Sequence, residues 1–418
     1  MEQGYKQSPL SPIPEDWEVK RLGEVGSFSK GSGVPKDKII SEGHPCLTYG
    51  DLYTKYDFVI KDIKSFIDEE TSKESKEINA GDICFAGSGE TPEDIGKCAA
   101  YLENCPAYAG GDIVILSPNN NINSLWLSYL LNSDIGGKQR YKFAQGFSIV
   151  HIYPDNLKQI QIPVPPLPEQ QRIVSVLSLW DTAIAKQTAL IEKLTLRKRG
   201  LMQQLLTGKK RLEGFSGEWK NIKLGNIAER ITRKNEEDNR NVVTISAQRG
   251  FVVQTDFFNK SVASEILDGY FLVHKDEFCY NKSYSNGYPM GAIKRLKSFD
   301  KAVVTTLYIC FRLKEKPQTN IDFFEQYCES GLLNKELVKV ANEGGRAHGL
   351  LNVTPSDFFN MHMRIPSIEE QTAIASVLVN ADKEIELANE KLARLQEEKR
   401  GLMQVLLSGK KRIKSNNK

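Results

Sequence analysis

PPLPEQQRIVSVLSLWDTAIAKQTALIEKLTLRKRGLMQQLLTGKKR, residues 165–211, returns as PSIEEQTAIASVLVNADKEIELANEKLARLQEEKRGLMQVLLSGKKR at residues 366–412. The match has no gap and a constant offset of 201 residues, from Pro165 to Pro366. Glu169 and Gln170 recur as Glu370 and Gln371, and Asp181 recurs as Asp382. Gly208, Lys209, Lys210 and Arg211 recur as Gly409, Lys410, Lys411 and Arg412. A self-match of this length marks a duplicated architecture.

Each copy has the period of one long amphipathic helix. Ile173, Trp180, Gln187, Leu194 and Leu201 fall every seven residues, beside the row Leu177, Ile184, Ile191, Lys198 and Leu205. The second copy gives Ile374, Ala381, Ala388, Leu395 and Leu402 beside Leu378, Ile385, Leu392, Lys399 and Leu406. Two apolar rows at this spacing form a coiled-coil seam. Prolines before each copy and Gly208 and Gly409 after them bound the helices, which predicts about 38 residues, or about 57 Å of rod. The matching seams predict that the two helices pack on each other, antiparallel. Lys198 and Lys399 sit within the seam of both copies, where a charge costs stability but can fix register.

Working outward, the duplication includes a globular front end. PEDWEVKRLGEVG (residues 14–26) and GEWKNIKLGNIAE (residues 217–229) share Trp17, Leu22 and Gly23 with Trp219, Leu224 and Gly225. Similarity fades in between and resurfaces at Pro154 and Pro355, so the frame is duplicated while the fillings differ. Four segments result: a globular domain at 1–164, a repeat helix at 165–211, a second globular domain at 212–365, and a repeat helix with a basic tail at 366–418. The fold class is α/β (α+β), two globular domains joined by two long antiparallel coiled-coil helices with an internal pseudo-two-fold repeat. Within the fillings, Ile83 to Phe85, Ile113 to Leu116, Val242 to Ile245, Phe278 to Tyr280 and Val303 to Phe311 are strand-like, whereas LWLSYLLNSDI and IDFFEQYCESGLL have helical spacing.

Composition sets bounds. At 418 residues the chain exceeds one ordinary core, and a net charge of +3 makes any attraction to nucleic acid a matter of patches. The seven cysteines form no C-x-x-C pair, which predicts reduced, mostly buried thiols in a cytoplasmic protein. No signal-peptide core and no run of about 18 apolar residues is present, so neither secretion nor membrane spanning is expected.

Several chemistries lack their motifs. FAGSGE (Phe85 to Glu90) fits the F-x-G-x-G pattern of S-adenosylmethionine cradles, but IGKCAAYL after it reads as a strand where a helix is needed. No [DNS]-P-P-[YFW] tetrapeptide is present to grip a flipped base, and no G-x-x-x-x-G-K-[ST] for ATP. The five histidines show no metal-ligand spacing, so no metal site is expected. No catalytic residue is assigned.

What remains are polar, basic loops rich in glycine and aromatics. AGSGETPEDIGK and RYKFAQGFSIVH carry Ser88, Lys97, Arg140, Lys142, Gln145, Ser148 and His151. In the second half, YNKSYSNGYPMGAIKRLK carries Lys282, Asn286 and Lys294, and NEGGRAHGLLN carries Arg346 and His348. Lys, Arg, Ser and backbone N–H groups suit phosphate, while Arg, Gln and Asn suit base edges. The twelve side chains are the candidate DNA contacts.

The doubled E-Q-x-x-I-x-x-V-L helix with KRGLMQQLLTGKKR and KRGLMQVLLSGKKR resembles the specificity subunits of Type I restriction-modification systems. GYPMGAIK, GGRAHGLLN and SIVHIYPDNLK are similar to segments of that family's target recognition domains. The resemblance implies two such domains, each reading one half of a bipartite, asymmetric site in double-stranded DNA, with the helices acting as a ruler. It also implies docking of two modification subunits and, optionally, two ATP-dependent restriction subunits. No cofactor is expected on this chain; S-adenosylmethionine, ATP and Mg belong to those partners. The exposed rows of the rods, with Glu169, Gln170, Glu370 and Gln371 near their starts, are candidate docking positions; complementing the helix N-terminal charge is the other reading of these four. Competing expectations are a stand-alone DNA methyltransferase and a coiled-coil protein-binding adaptor without DNA affinity.

Overall fold

A computed structural model describes residues 4–146, 148–254, 267–315, 319–341 and 351–413. The two repeats form single helices, Leu167–Leu205 of 39 residues and Ile368–Leu407 of 40. Each stops where a glycine takes a left-handed turn, Gly208 at φ 69° and Gly409 at φ 74°. Past the turn, Lys210 N–H returns to Gln204 C=O at 3.2 Å and Lys411 N–H to Val405 C=O at 3.0 Å. Each bond satisfies a carbonyl of the last helical turn, and a Cβ at the glycine would be strained.

The chain divides into two compact units, Met1–Gln187 with Lys391–Lys418, and Thr188–Glu390. Each unit therefore holds a globular domain, the start of one long helix and the end of the other. Within the first unit Lys399 pairs with Asp181 and Arg412 with Glu169. Within the second, Lys198 pairs with Asp382 and Arg211 with Glu370. In both units numbers rise on one helix as they fall on the other, so the helices run antiparallel. Ile173, Leu177, Ile374 and Leu378 are fully buried. Trp180, Ile184, Ile191, Leu194, Ile385, Leu392 and Leu395 are half-buried, while Leu179, Leu196 and Leu387, off the seam, are exposed. Burying each such aliphatic side chain contributes about 1.5–3 kcal/mol.

The globular frames repeat where the sequences no longer do. In the first unit Gly26–Lys30, Ile113–Pro118, Ile83–Ala86 and Cys98–Tyr101 lie side by side in that order, all antiparallel. A fifth strand, Val59–Ile60, joins the edge in parallel. In the second unit Ala228–Ile231, Ile309–Leu313, Phe278–Asn281 and Ala292–Arg295 follow the same antiparallel order. Next to each long helix a strand pair closes the frame, Glu18–Arg21 with Gln161–Val164 and Lys220–Lys223 with His362–Ile365. The strand-like run from Val303 to Phe311 is in fact two strands in different sheets, Lys301–Val304 and Ile309–Leu313. The Thr305 hydroxyl accepts from Leu307 N–H at 3.3 Å and turns the chain between them.

In each unit one core joins sheet, helix and rod. Ile83, Phe85 and Trp126 pack with Ile173, Leu177 and Leu406; Phe278, Phe311 and Phe324 pack with Leu205, Ile374 and Leu378. Cys46, Cys84, Cys98, Cys279 and Cys310 are buried free thiols, whereas Cys105 is exposed and Cys328 half-buried.

Candidate nucleic-acid interface

The repeated Glu-Gln pair mounts each domain on its rod. Gln170 Oε1 accepts Asn123 N–H at 2.8 Å, and its amide donates to Asn121 C=O at 3.2 Å and Pro165 C=O at 2.9 Å. Asn123 in turn caps the helix Ser124–Leu131 by accepting from Trp126 N–H at 2.9 Å. In the second unit Gln371 accepts Asn320 N–H at 2.9 Å and donates to Pro366 C=O at 3.0 Å, while Asn320 caps Ile321–Glu329. Glu169 accepts Trp17 Nε1–H at 3.1 Å and holds Arg412, whose guanidinium also grips Asp16 at 2.8 and 2.9 Å. These two carboxylates push the Arg412 pKa further up. Glu370 receives Arg211 through two bonds of 2.5 and 2.6 Å. Glu169, Gln170, Glu370 and Gln371 are at most 2 % exposed. They are internal fastenings, which corrects their reading as docking positions.

The candidate contacts sort by burial. Arg140 is 5 % exposed; its Nε donates to Ile95 C=O at 3.0 Å and Nη1 to Leu131 C=O, and burial lowers its pKa. It ties the end of a helix to a loop, and this corrects its assignment to DNA. Lys294 is corrected likewise: 8 % exposed, it pairs with Glu329 at 2.6 Å and lies 4.7 Å from the Tyr288 ring centre. Lys97 is half-buried and engaged with Tyr53 C=O at 3.3 Å and Asp57 at 3.7 Å. Ser88 is buried, its hydroxyl 3.0 Å from His151 Nδ1. Arg346 and His348 lie outside the described residues.

Lys142, Gln145, Ser148 and Asn286 are exposed, and His151 and Lys282 are half-buried. Burial lowers the Lys282 pKa. Gln145 and His151 exchange backbone hydrogen bonds of 3.0 and 2.7 Å, which fixes the hairpin carrying Ser148. Around it Tyr49, Tyr141, Ile149 and Tyr153 expose large apolar surfaces, and Tyr153 stacks on His151 with ring centres 6.3 Å apart. Tyr141, Ile149 and Tyr153 alternate with Lys142, Gln145 and His151 in RYKFAQGFSIVHIY, a pattern visible in the sequence though not in its charge, whereas Tyr49 comes from a distant segment. Cations, amides and aromatic faces on one fixed loop can contact phosphate, base edges and base faces together. Among the described residues no group of three or more His, Cys, Asp or Glu could hold a metal ion, and no helix is long and apolar enough to cross a membrane.

Comparison with known proteins places this arrangement. Residues 14–196 match the family model described as the Type I restriction modification DNA specificity domain. The putative type I restriction enzyme MjaX specificity subunit of Methanocaldococcus jannaschii is 29% identical over 99% of this chain and 98% of its own. The MjaVIII specificity subunit of the same organism is 24% identical over 100% of this chain and 98% of its own. The crystal structure of the Type-I restriction-modification system S subunit from M. genitalium superposes with a TM-score of 0.56 at 16% identity, covering 96% of this chain and 98% of that one. Duplicated frame, paired rods and full-length similarity agree: over its whole length the chain is similar to the specificity subunits of Type I restriction enzymes.

Proposed function

We propose that this chain selects the DNA sequence on which a Type I restriction-modification complex acts, each unit reading one half of a bipartite site. The observation that carries this is the same Gln–Asn and Glu–Arg fastening, built twice, holding two globular frames of equal strand order whose loops differ. Two equivalent mounts bearing unlike surfaces suit two unlike half-sites. The chain supplies no catalytic group in this reading. Methyl transfer from S-adenosylmethionine belongs to two modification subunits, and ATP- and Mg-dependent restriction to two further subunits where present. With the Glu-Gln pairs buried, the docking positions move to the exposed rows of the rods, which include Leu179, Leu196 and Leu387 at 71 %, 68 % and 64 % exposure. The rods set the gap between the half-sites, and adding four residues to one of them, about one helical turn, lengthens that gap.

The experiment is co-expression with a modification subunit, followed by sequencing of methylated adenines in the host DNA. A bipartite motif with a fixed gap, lost on removing either loop set, is expected. An assembled complex without methylation favours the protein-only adaptor, and a motif written without the partner favours a self-contained methyltransferase.

A further inference from the structure

A cleft of about 530 Å³ opens in the first unit between the short helix Tyr49–Thr54 and the turn after the strand Ser88–Gly89. Tyr49, Tyr53, Glu90, Thr91, Asp94 and Ile149 line it, and no lysine or arginine is among its described lining residues. Gly89 belongs to the same wall: a Cβ there would sit 2.6 Å from Tyr53 Oη. That hydroxyl is shut off from solvent and has no hydrogen-bond partner among the described residues. Asp94 accepts from the Thr91 hydroxyl at 3.2 Å, whereas Glu90 is exposed and engages no other described residue.

The opposite wall is fixed. Ile149 is 59 % exposed but flanked by Val150, which is 1 % exposed and pairs with Gly89. The Gln145–His151 backbone exchange closes the same hairpin. Such a mount holds an apolar side chain in one place, as discrimination between bases requires.

Charge decides what fits. Glu90 and Asp94 line the cleft and no described cation faces it, since the buried Arg140 behind Asp94 is committed to Ile95 C=O and Leu131 C=O; such a lining repels phosphate. The two carboxylates complement a donor, and the donors that DNA presents in its major groove are exocyclic amines: N4 of cytosine and N6 of adenine. Tyrosine and isoleucine faces cover the edge of a base once its water is displaced. We infer that this cleft reads an amino-bearing base, cytosine or adenine, in the half-site bound by the first unit, with the Glu90 carboxylate accepting from the exocyclic amine. The inference rests on the DNA reading proposed above and adds the chemistry of one position to it.

The test uses the full chain assembled with its modification subunit. Methylated motifs are mapped for wild type, Glu90→Ala and Ile149→Ala, and affinities are measured on duplexes carrying each base at each position. Either variant is expected to lower discrimination at one position of one half-site by about tenfold, leaving the other half-site unchanged. A wild-type motif that both variants leave unchanged overturns the inference alone. So does a uniform change of affinity at every sequence, which would make Glu90 only a charge near phosphate. A wild-type complex with no bipartite motif brings down the functional reading and the inference with it.

Discussion

The Lys399 ammonium meets the Asp181 carboxylate across the paired rods, inside the seam that heptad spacing would fill with an aliphatic side chain. It lies 3.9 Å from the Phe58 ring centre and 5.0 Å from that of Tyr129, whose hydroxyl donates to the same carboxylate. The second unit repeats the pair as Lys198 and Asp382 at 2.5 Å, with Gln326 in place of the tyrosine. A one-residue slip of either helix would separate each ammonium from its acid, so the pairs select the register.

The two members of the first pair differ in exposure, Lys399 at 6 % and Asp181 at 39 %. Asp181→Ala strands a buried ammonium and is expected to cost about 3 kcal/mol, while Lys399→Met leaves a carboxylate that water can reach and costs about 1 kcal/mol. Chemical denaturation of both variants checks the order, and equal losses would contradict the account. Burial depresses the Lys399 pKa, with Asp181 opposing the shift. The unfolded chain therefore holds this proton to higher pH than the folded one. The cost of burying the charge is fully present below the folded pKa and is relieved as pH rises through it toward the ordinary value near 10.4. Relative to Lys399→Met, wild type should gain stability in that alkaline window.

Gln170 and Gln371 hold backbone groups at the partly buried joint between rod and domain. Gln170→Ala removes three hydrogen bonds and leaves Asn123 N–H unpaired, a loss of about 2–3 kcal/mol. Hydrogen exchange should quicken in Ser124–Leu131 for Gln170→Ala and in Ile321–Glu329 for Gln371→Ala. Equal loosening of both helices by one substitution would refute the local fastening.

Arg412 neutralises a carboxylate that is 2 % exposed. Arg412→Ala leaves Glu169 with Trp17 Nε1–H alone and should cost about 3 kcal/mol. Arg412→Lys should recover only part of this, because an ammonium cannot reproduce the guanidinium's planar, forked hydrogen bonds to Glu169 and Asp16. Melting temperatures of the two variants decide the matter.

The rods were legible because a seam repeats in sequence what it repeats in space: Ile173, Leu177, Ile374 and Leu378 are buried as their spacing predicts. The equal strand order of the two domains was not, since a sheet tolerates any apolar residue on its inner face; Ile83 to Ala86 and Phe278 to Asn281 hold the same place and share only the cysteine at their second position, Cys84 and Cys279. At the candidate interface residue type misled in a specific way. Arg140 and Lys294 lie in stretches rich in polar and glycine residues that read as loops, yet they belong to the helix Asp134–Lys142 and the strand Ala292–Arg295, and each turns inward, to Leu131 C=O and to Glu329. Those partners are 9 and 35 residues away, and local pattern does not encode a contact at that range. The Glu-Gln pairs misled oppositely, polar residues near the start of an apparently solvated rod that prove to be its most buried polar groups.

The cations of the first unit differ in burial, and their roles divide accordingly. Lys142 is exposed at the end of the helix Asp134–Lys142, next to the hairpin that bears Gln145 and Ser148. A phosphate contact releases about one counterion, so Lys142→Ala should lower the slope of log affinity against log salt by about one, for every DNA sequence alike. Lys97→Ala should change that slope little, because the ammonium is already held by Tyr53 C=O and Asp57. Arg140→Ala should act on stability instead, since it frees two buried carbonyls, Ile95 and Leu131, and lowers the melting temperature. Salt titrations of DNA binding with the three variants, alongside thermal melts, separate the roles. A slope lowered as much by Lys97→Ala as by Lys142→Ala would show that Lys97 leaves its internal partners to meet the phosphate.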